Sequence, residues 1–123
     1  MHELAVTENI LSIAIRHAQQ AHAVRVTELH LVIGALSSIV DDSVQFYWDM
    51  ISQSTLCEGA RLQFDRRPAE LVCLDCQCAY RLNGELTDCP QCGSAHLKVT
   101  AGEEFYLDSI EVETISDVEK AAL

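Results

Sequence analysis

Two stretches with helical spacing of apolar residues, three with alternating apolar and polar residues, and two late Cys-x-x-Cys pairs predict an α+β fold. The expected architecture is two helices packed on a three-stranded, mainly antiparallel sheet, with an inserted four-cysteine zinc ribbon. At 123 residues and 49% hydrophobic content, the chain can build a packed core outside the cysteine segment. Only 6% of residues are aromatic, so Leu, Ile, Val and Ala are expected to fill that core.

Leu4 to about Ala21 reads as an amphipathic helix, with Val6, Ile10, Ile13, Ala14, Ala18 and Ala21 recurring at helical spacing. Glu3 and Glu8 suit its positive N-terminal end, and His17 and His22 lie near the other. From Arg25 to Ile33 the period becomes two: Leu29, Leu31 and Ile33 share one face, Glu28 and His30 the other. Residues 34–38 form a turn. Asp41, Asp42 and Ser43 then offer a helix start, with Val44, Tyr47, Trp48 and Ile51 on one face. Residues 60–65 alternate again, with Leu62 and Phe64 together, until Arg66, Arg67 and Pro68 break the pattern. A last alternating segment, Phe105 to Glu113, slips near Asp108 and Ser109; a bulge there reconciles Phe105 and Leu107 with Ile110 and Val112. Residues from about Ile115 onward are expected as a short helix or a frayed tail.

Between the last two strands lies CLDCQCAYRLNGELTDCPQC, Cys73 to Cys92. A two-residue gap lets one tight turn present two sulfurs to one metal, and four thiolates complete a tetrahedral structural zinc shell. Cys73, Cys76, Cys89 and Cys92 are therefore the expected zinc ligands. Pro90 fixes φ, and Gly93 can take the positive φ that turns backbone N–H groups back toward the sulfurs. Residues 69–72 and 97–100 look like the two legs of the ribbon. The chain is thus expected to divide into 1–70 with 101–123, and 71–100. Of the two remaining cysteines, Cys57 reads as a small apolar residue and Cys78 as a surface thiol.

Eight Lys and Arg stand against 19 Asp and Glu, a formal net charge of -11, and a tetrathiolate zinc adds roughly two more negative charges. Such a surface is repelled by nucleic acid and by anionic membranes. The ribbon holds Arg81 and Lys98 but also Asp75, Glu85 and Asp88, so it lacks the clustered cations of a phosphate-binding module. The opening MHELAVTENI has neither a basic n-region nor an apolar h-region, so a cytoplasmic chain with reduced thiols is expected. No phosphate loop or nucleophile–base motif stands out, and an enzyme is not expected.

His2 carries a separate chemistry. The terminal amine, the His2 amide and imidazole Nδ1 close fused five- and six-membered chelate rings. These donors suit the tetragonal or square-planar preference of Ni(II) or Cu(II) better than zinc. Met1 is expected to be retained, because His2 is too large for routine removal of the initiator.

The opening MHEL with its amphipathic helix, then LHLVIGALSSI, the paired CxxC motifs and the ending YLDSIEVE together resemble the HypA/HybF family. These accessory proteins deliver nickel to the large subunit of [NiFe]-hydrogenase. The resemblance covers residues 1–113. It implies a nickel site built from the Met1 terminal amine and His2, with Glu3 contributing through its backbone or side chain. Residues 1–70 and 101–123 then form the nickel-binding domain and 71–100 the zinc-ribbon domain, with Zn(II) structural and Ni(II) the cargo. The implied partners are a HypB-type nickel-insertion GTPase and the hydrogenase large subunit, and monomer and homodimer both stay open. Some members of the family carry histidines beside the cysteine pairs; here His96 adjoins no cysteine and is not read as a ligand. His17, His22 and His30 are read as helix-end or surface residues. Two alternatives remain: a rubredoxin-like iron site on the same cysteines, and a zinc-ribbon adaptor without nickel transfer.

Overall fold

The computed structural model describes residues 3–82 and 85–122. In chain order the elements are α1 (Glu3–Gln20), β1 (Ala23–Gly34), α2 (Asp41–Ile51), β2 (Arg61–Arg67), β3 (Ala69–Cys73), β4 (Ala79–Leu82), β5 (Leu97–Ala101), β6 (Phe105–Thr114) and α3 (Ile115–Ala122). The α+β class holds, with two three-stranded sheets, ordered β2-β1-β6 and β4-β3-β5. The second sheet completes what sequence showed only as two ribbon legs, by adding β4. The chain separates into two compact units. One comprises Met1–Leu31, Ile39–Phe64 and Tyr106–Leu123; the other comprises Val32–Ser38 and Asp65–Phe105.

In the first unit α1 packs on α2. Ile10, Ala14 and Ala18 of α1, Val44 and Trp48 of α2, and Leu29 and Leu31 of β1 are all buried. The helical and alternating periods of the sequence thus point their apolar faces inward, except at Ala21, which is exposed because α1 ends at Gln20. Trp48 is the largest fully buried side chain, and its Nε1–H donates to the Ala60 carbonyl at 3.2 Å, meeting the polar demand of a buried indole. Two residues past α1, His22 takes φ +56 where glycine is commoner, with Ala21 N–H donating to the His17 carbonyl and His22 N–H to that of Gln19. At α2 the N-cap is Val40, without a side-chain cap. Asp41 and Asp42 sit inside the first turn instead, where they complement the helix dipole. Along β6, Asp108 and Ser109 are both exposed, between the less exposed Phe105 and Leu107 and the less exposed Ile110 and Val112, matching the expected slip. Helix α3 starts from a reciprocal cap. Thr114 N–H donates to the Asp117 carboxylate at 3.0 Å, and Asp117 N–H to Thr114 Oγ1 at 3.4 Å.

In the second unit β3 pairs antiparallel with both β4 and β5, with Leu71 opposite Tyr80 on one side and Val99 on the other. Ala69, Leu71 and Cys73 are buried along one face of β3. The turn after β1 runs tightly against the turn after β5. Leu36 N–H donates to the Gly102 carbonyl at 2.7 Å, and Gly34 N–H to that of Glu104 at 2.8 Å. A Cβ on Gly34 would lie 2.1 Å from the Gly102 carbonyl oxygen, so only glycine fits there.

Candidate metal centres

The cysteine segment is two copies of one backbone turn. In the first, Cys73 N–H donates to Cys78 at 2.9 Å and Gln77 N–H returns to the Cys73 carbonyl at 2.8 Å. In the second, Cys89 N–H donates to Ser94 at 3.0 Å and Gly93 N–H returns to Cys89 at 2.8 Å. The residue closing each turn is left-handed: Gln77 at φ +62 and Gly93 at φ +73. The glycine expected from sequence therefore closes the second turn, while the first reaches the same conformation with a glutamine. β3 delivers Cys73 directly, and both turns project their cysteine pairs toward a common point.

The Sγ atoms of Cys73, Cys76, Cys89 and Cys92 all lie within 4.8 Å of one another. Cys73 to Cys92 is 3.6 Å and Cys76 to Cys89 is 3.6 Å. Thiolates at about 2.3 Å from a tetrahedral zinc are separated by about 3.8 Å, so the donor set fits Zn(II) closely. Cys76 N–H points at Cys73 Sγ, 3.5 Å away, as an N–H donor to a metal thiolate does. The four thiols differ before any metal arrives. Cys73 is held down to about 6, chiefly by the Cys76 N–H, and Cys89 is lowered chiefly by the Cys92 N–H. At Cys76 the Cys78 N–H favours the thiolate, but burial and the contacts with Cys89, Cys73 and Cys92 outweigh it and push the thiol up to about 12. At Cys92 the Ser94 N–H likewise favours the thiolate, and contact with Cys73 and burial outweigh it, raising the thiol. Four adjacent thiolates need a dication between them, which zinc supplies when bound. A zinc held by all four would have no position left open for chemistry.

Three residues whose joint role the sequence did not signal, Asp75, Ser94 and His96, join the two turns. Ser94 Oγ donates to the Asp75 carboxylate and accepts from His96 N–H at 3.0 Å. His96 Nδ1 lies 3.3 Å from the same carboxylate. Asp75 is held below the usual carboxylate range first by Ser94 and then by His96. The serine hydroxyl is directed at the carboxylate and not at the imidazole, so the group braces the turns and is not arranged as a nucleophile–base pair. Because the contacts cross from one CxxC to the other, no local spacing signals them. Cys78 Sγ is directed at the Ala79 carbonyl at 3.7 Å and stands outside the quartet. Cys57 is buried, and burial pushes its thiol up to about 11.

Of the expected nickel ligands, Met1 and His2 lie outside the described residues. Glu3 occupies the first turn of α1, where its carbonyl accepts a 2.6 Å hydrogen bond from Oγ1 of the fully buried Thr7. That bond ties the start of α1 to the core of the first unit. Among the described residues, no helix is long and apolar enough to cross a membrane.

A family model described as hydrogenase/urease nickel incorporation, metallochaperone, HypA matches residues 1–112. A hydrogenase maturation factor HypA of Dehalococcoides mccartyi is 39% identical over 113 residues, covering 92% of this chain and 95% of that protein. The same-named protein of Acidithiobacillus ferrooxidans is 38% identical over 113 residues, covering 92% and 100%. The solution structure of the Ni metallochaperone HypA from Helicobacter pylori matches with a TM-score of 0.65 and 25% identity, over 93% of this chain and 99% of that one.

Proposed function

The chain belongs to the HypA family of hydrogenase/urease nickel-incorporation metallochaperones, and on that premise we propose that it carries Ni(II) at its own N-terminus. The ligands in this reading are the Met1 terminal amine and the His2 amide and imidazole, with Glu3 alongside through its backbone or side chain. The single observation that carries the proposal is the family match, which begins at residue 1 and so includes these donors together with the cysteine quartet. The donor chemistry supports it: fused amine, amide and imidazole nitrogens satisfy a tetragonal d8 ion. A site at the chain end exchanges ligands without opening the core, as a carrier that must release its cargo requires. The anchored first turn at Glu3 gives that end a fixed base.

In this reading Cys73, Cys76, Cys89 and Cys92 hold a structural Zn(II), and residues 71–100 act as a docking module. The recipient is the large subunit of [NiFe]-hydrogenase, and a HypB-type GTPase supplies the energy of transfer. The protein itself performs no catalysis and works in the cytoplasm, as a monomer or homodimer.

The test is Ni(II) binding by calorimetry to three zinc-loaded proteins: the native chain, His2→Ala, and a chain with Gly-Ser placed before Met1. Tight binding by the native chain alone is expected. Equal binding by all three refutes the terminal site. Absence of saturable nickel uptake in the native chain favours the adaptor reading instead.

A further inference from the structure

A second group of metal donors lies in the first unit, remote in sequence from both centres above. Glu28 and His30 project from the polar face of β1, and Glu111 projects from the neighbouring β6. His30 Nε2 is 3.8 Å from Glu28 Oε2 and 3.7 Å from Glu111 Oε1, and the three donor atoms lie within 4.8 Å of one another. The Glu28 carboxyl is held below its ordinary range, first by the neighbouring Glu111 and then by Gln63. Two carboxylates so close, in a chain of net charge -11, favour a proton or a cation between them. The nearest guanidinium, Arg61, is 3.8 Å from Glu28 and its side chain is 76% exposed, against 19% for Glu28. It leaves Glu111 and the imidazole facing each other.

We propose that Glu28, His30 and Glu111 form a second metal site, taking a first-row divalent transition ion such as Ni(II) or Zn(II) with water in the remaining positions. Two ligand atoms at about 2.1 Å from one ion can be at most about 4.2 Å apart, and both histidine–carboxylate spacings fall below that. The imidazole nitrogen selects against Mg(II) and Ca(II), which take oxygen donors. Adjacent strands fix the backbone positions, so only side-chain rotations are needed to close the shell.

The proposal goes beyond the terminal nickel site and does not depend on it, so the experiment starts from the zinc-loaded full chain carrying His2→Ala. Titrated with Ni(II) in a calorimeter, this protein retains one saturable equivalent. Adding His30→Gln or Glu111→Gln weakens it by about tenfold or more, since losing even an outer-shell partner costs about 10–100-fold. Adding Arg61→Ala strengthens it, because that guanidinium competes for Glu28; Arg16→Ala on α1, which removes the same charge elsewhere, does not match the gain. The side chains altered are on the solvated face, and a far-ultraviolet spectrum checks that each variant is folded. No residual equivalent in the His2→Ala protein, an equivalent unaffected by His30→Gln, or displacement by millimolar Ca(II) overturns the proposal.

Discussion

Zinc uptake by the metal-free protein near pH 7.5 should release between about two and three protons, not four. The perturbation is removal of zinc with a chelator, followed by readdition. Each thiol that is protonated beforehand gives up one proton on binding. Cys73, held down to about 6 chiefly by the Cys76 N–H, is already a thiolate and contributes almost nothing. Cys89, lowered chiefly by the Cys92 N–H, contributes less than a full proton. Cys76, pushed up to about 12, and Cys92, also raised, contribute one each. Calorimetry in buffers of differing ionisation enthalpy gives the number directly, as the slope of observed heat against buffer heat. An unfolded ribbon, with all four thiols near about 8.5, would release nearly four. A slope near four therefore refutes the claim that the two turns, with their N–H donors, persist without metal. A slope below about two refutes the opposed shifts within the quartet. The sign for stability follows. Cys73 is depressed in the folded protein, so its contribution is fully present above its ordinary value of about 8.5 and is lost as pH falls through about 6.

Other substitutions separate geometry from packing and ligation. Gly93→Ala places a Cβ in open space, so its cost is the left-handed φ alone, about 1–2 kcal/mol in chemical denaturation of the zinc-bound protein. Gly34→Ala drives a Cβ into the Gly102 carbonyl and should cost more, about 3 kcal/mol or above; equal costs at the two glycines would contradict the close approach. Cys78→Ser should keep one zinc per chain by elemental analysis and Cys76→Ser should lose it; retention in Cys76→Ser and loss with Cys78 also changed would mean that Cys78 substitutes as a ligand.

What the sequence made legible was whatever repeats locally. The 3.6-residue period of Ile10, Ala14 and Ala18, the alternation of Leu29 and Leu31, and the slip at Asp108 all follow from one element facing one interior. The quartet was legible for a related reason, since each cysteine pair belongs to a single turn. β4 was not, because the four residues Ala79–Leu82 are too short for a period and sit beside a third nearby cysteine. The Thr114–Asp117 cap could have been found, because a threonine three residues before an acid is a helix-start signal. The Asp75–Ser94–His96 brace could not, nor could the approach of Glu111 to Glu28 and His30. Both depend on chain segments meeting across the fold, which no spacing encodes. The nickel end was read from the chemistry of a histidine at position 2 and from family likeness, and Met1 and His2 carry no structural description.

The burial of Trp48 has an experimental consequence. It is the only tryptophan of the chain, it is 1% exposed, and it belongs to the first compact unit. Intrinsic fluorescence excited at the indole therefore reports loosening of that unit. The cysteine quartet, in the other unit, is followed through the thiolate absorption of cobalt substituted for zinc. One heated or denaturant-titrated sample thus yields two optical signals, one from each unit. Coincident transitions would identify one cooperative molecule, and separated ones would mean that a ribbon can come apart while the helical unit stays folded.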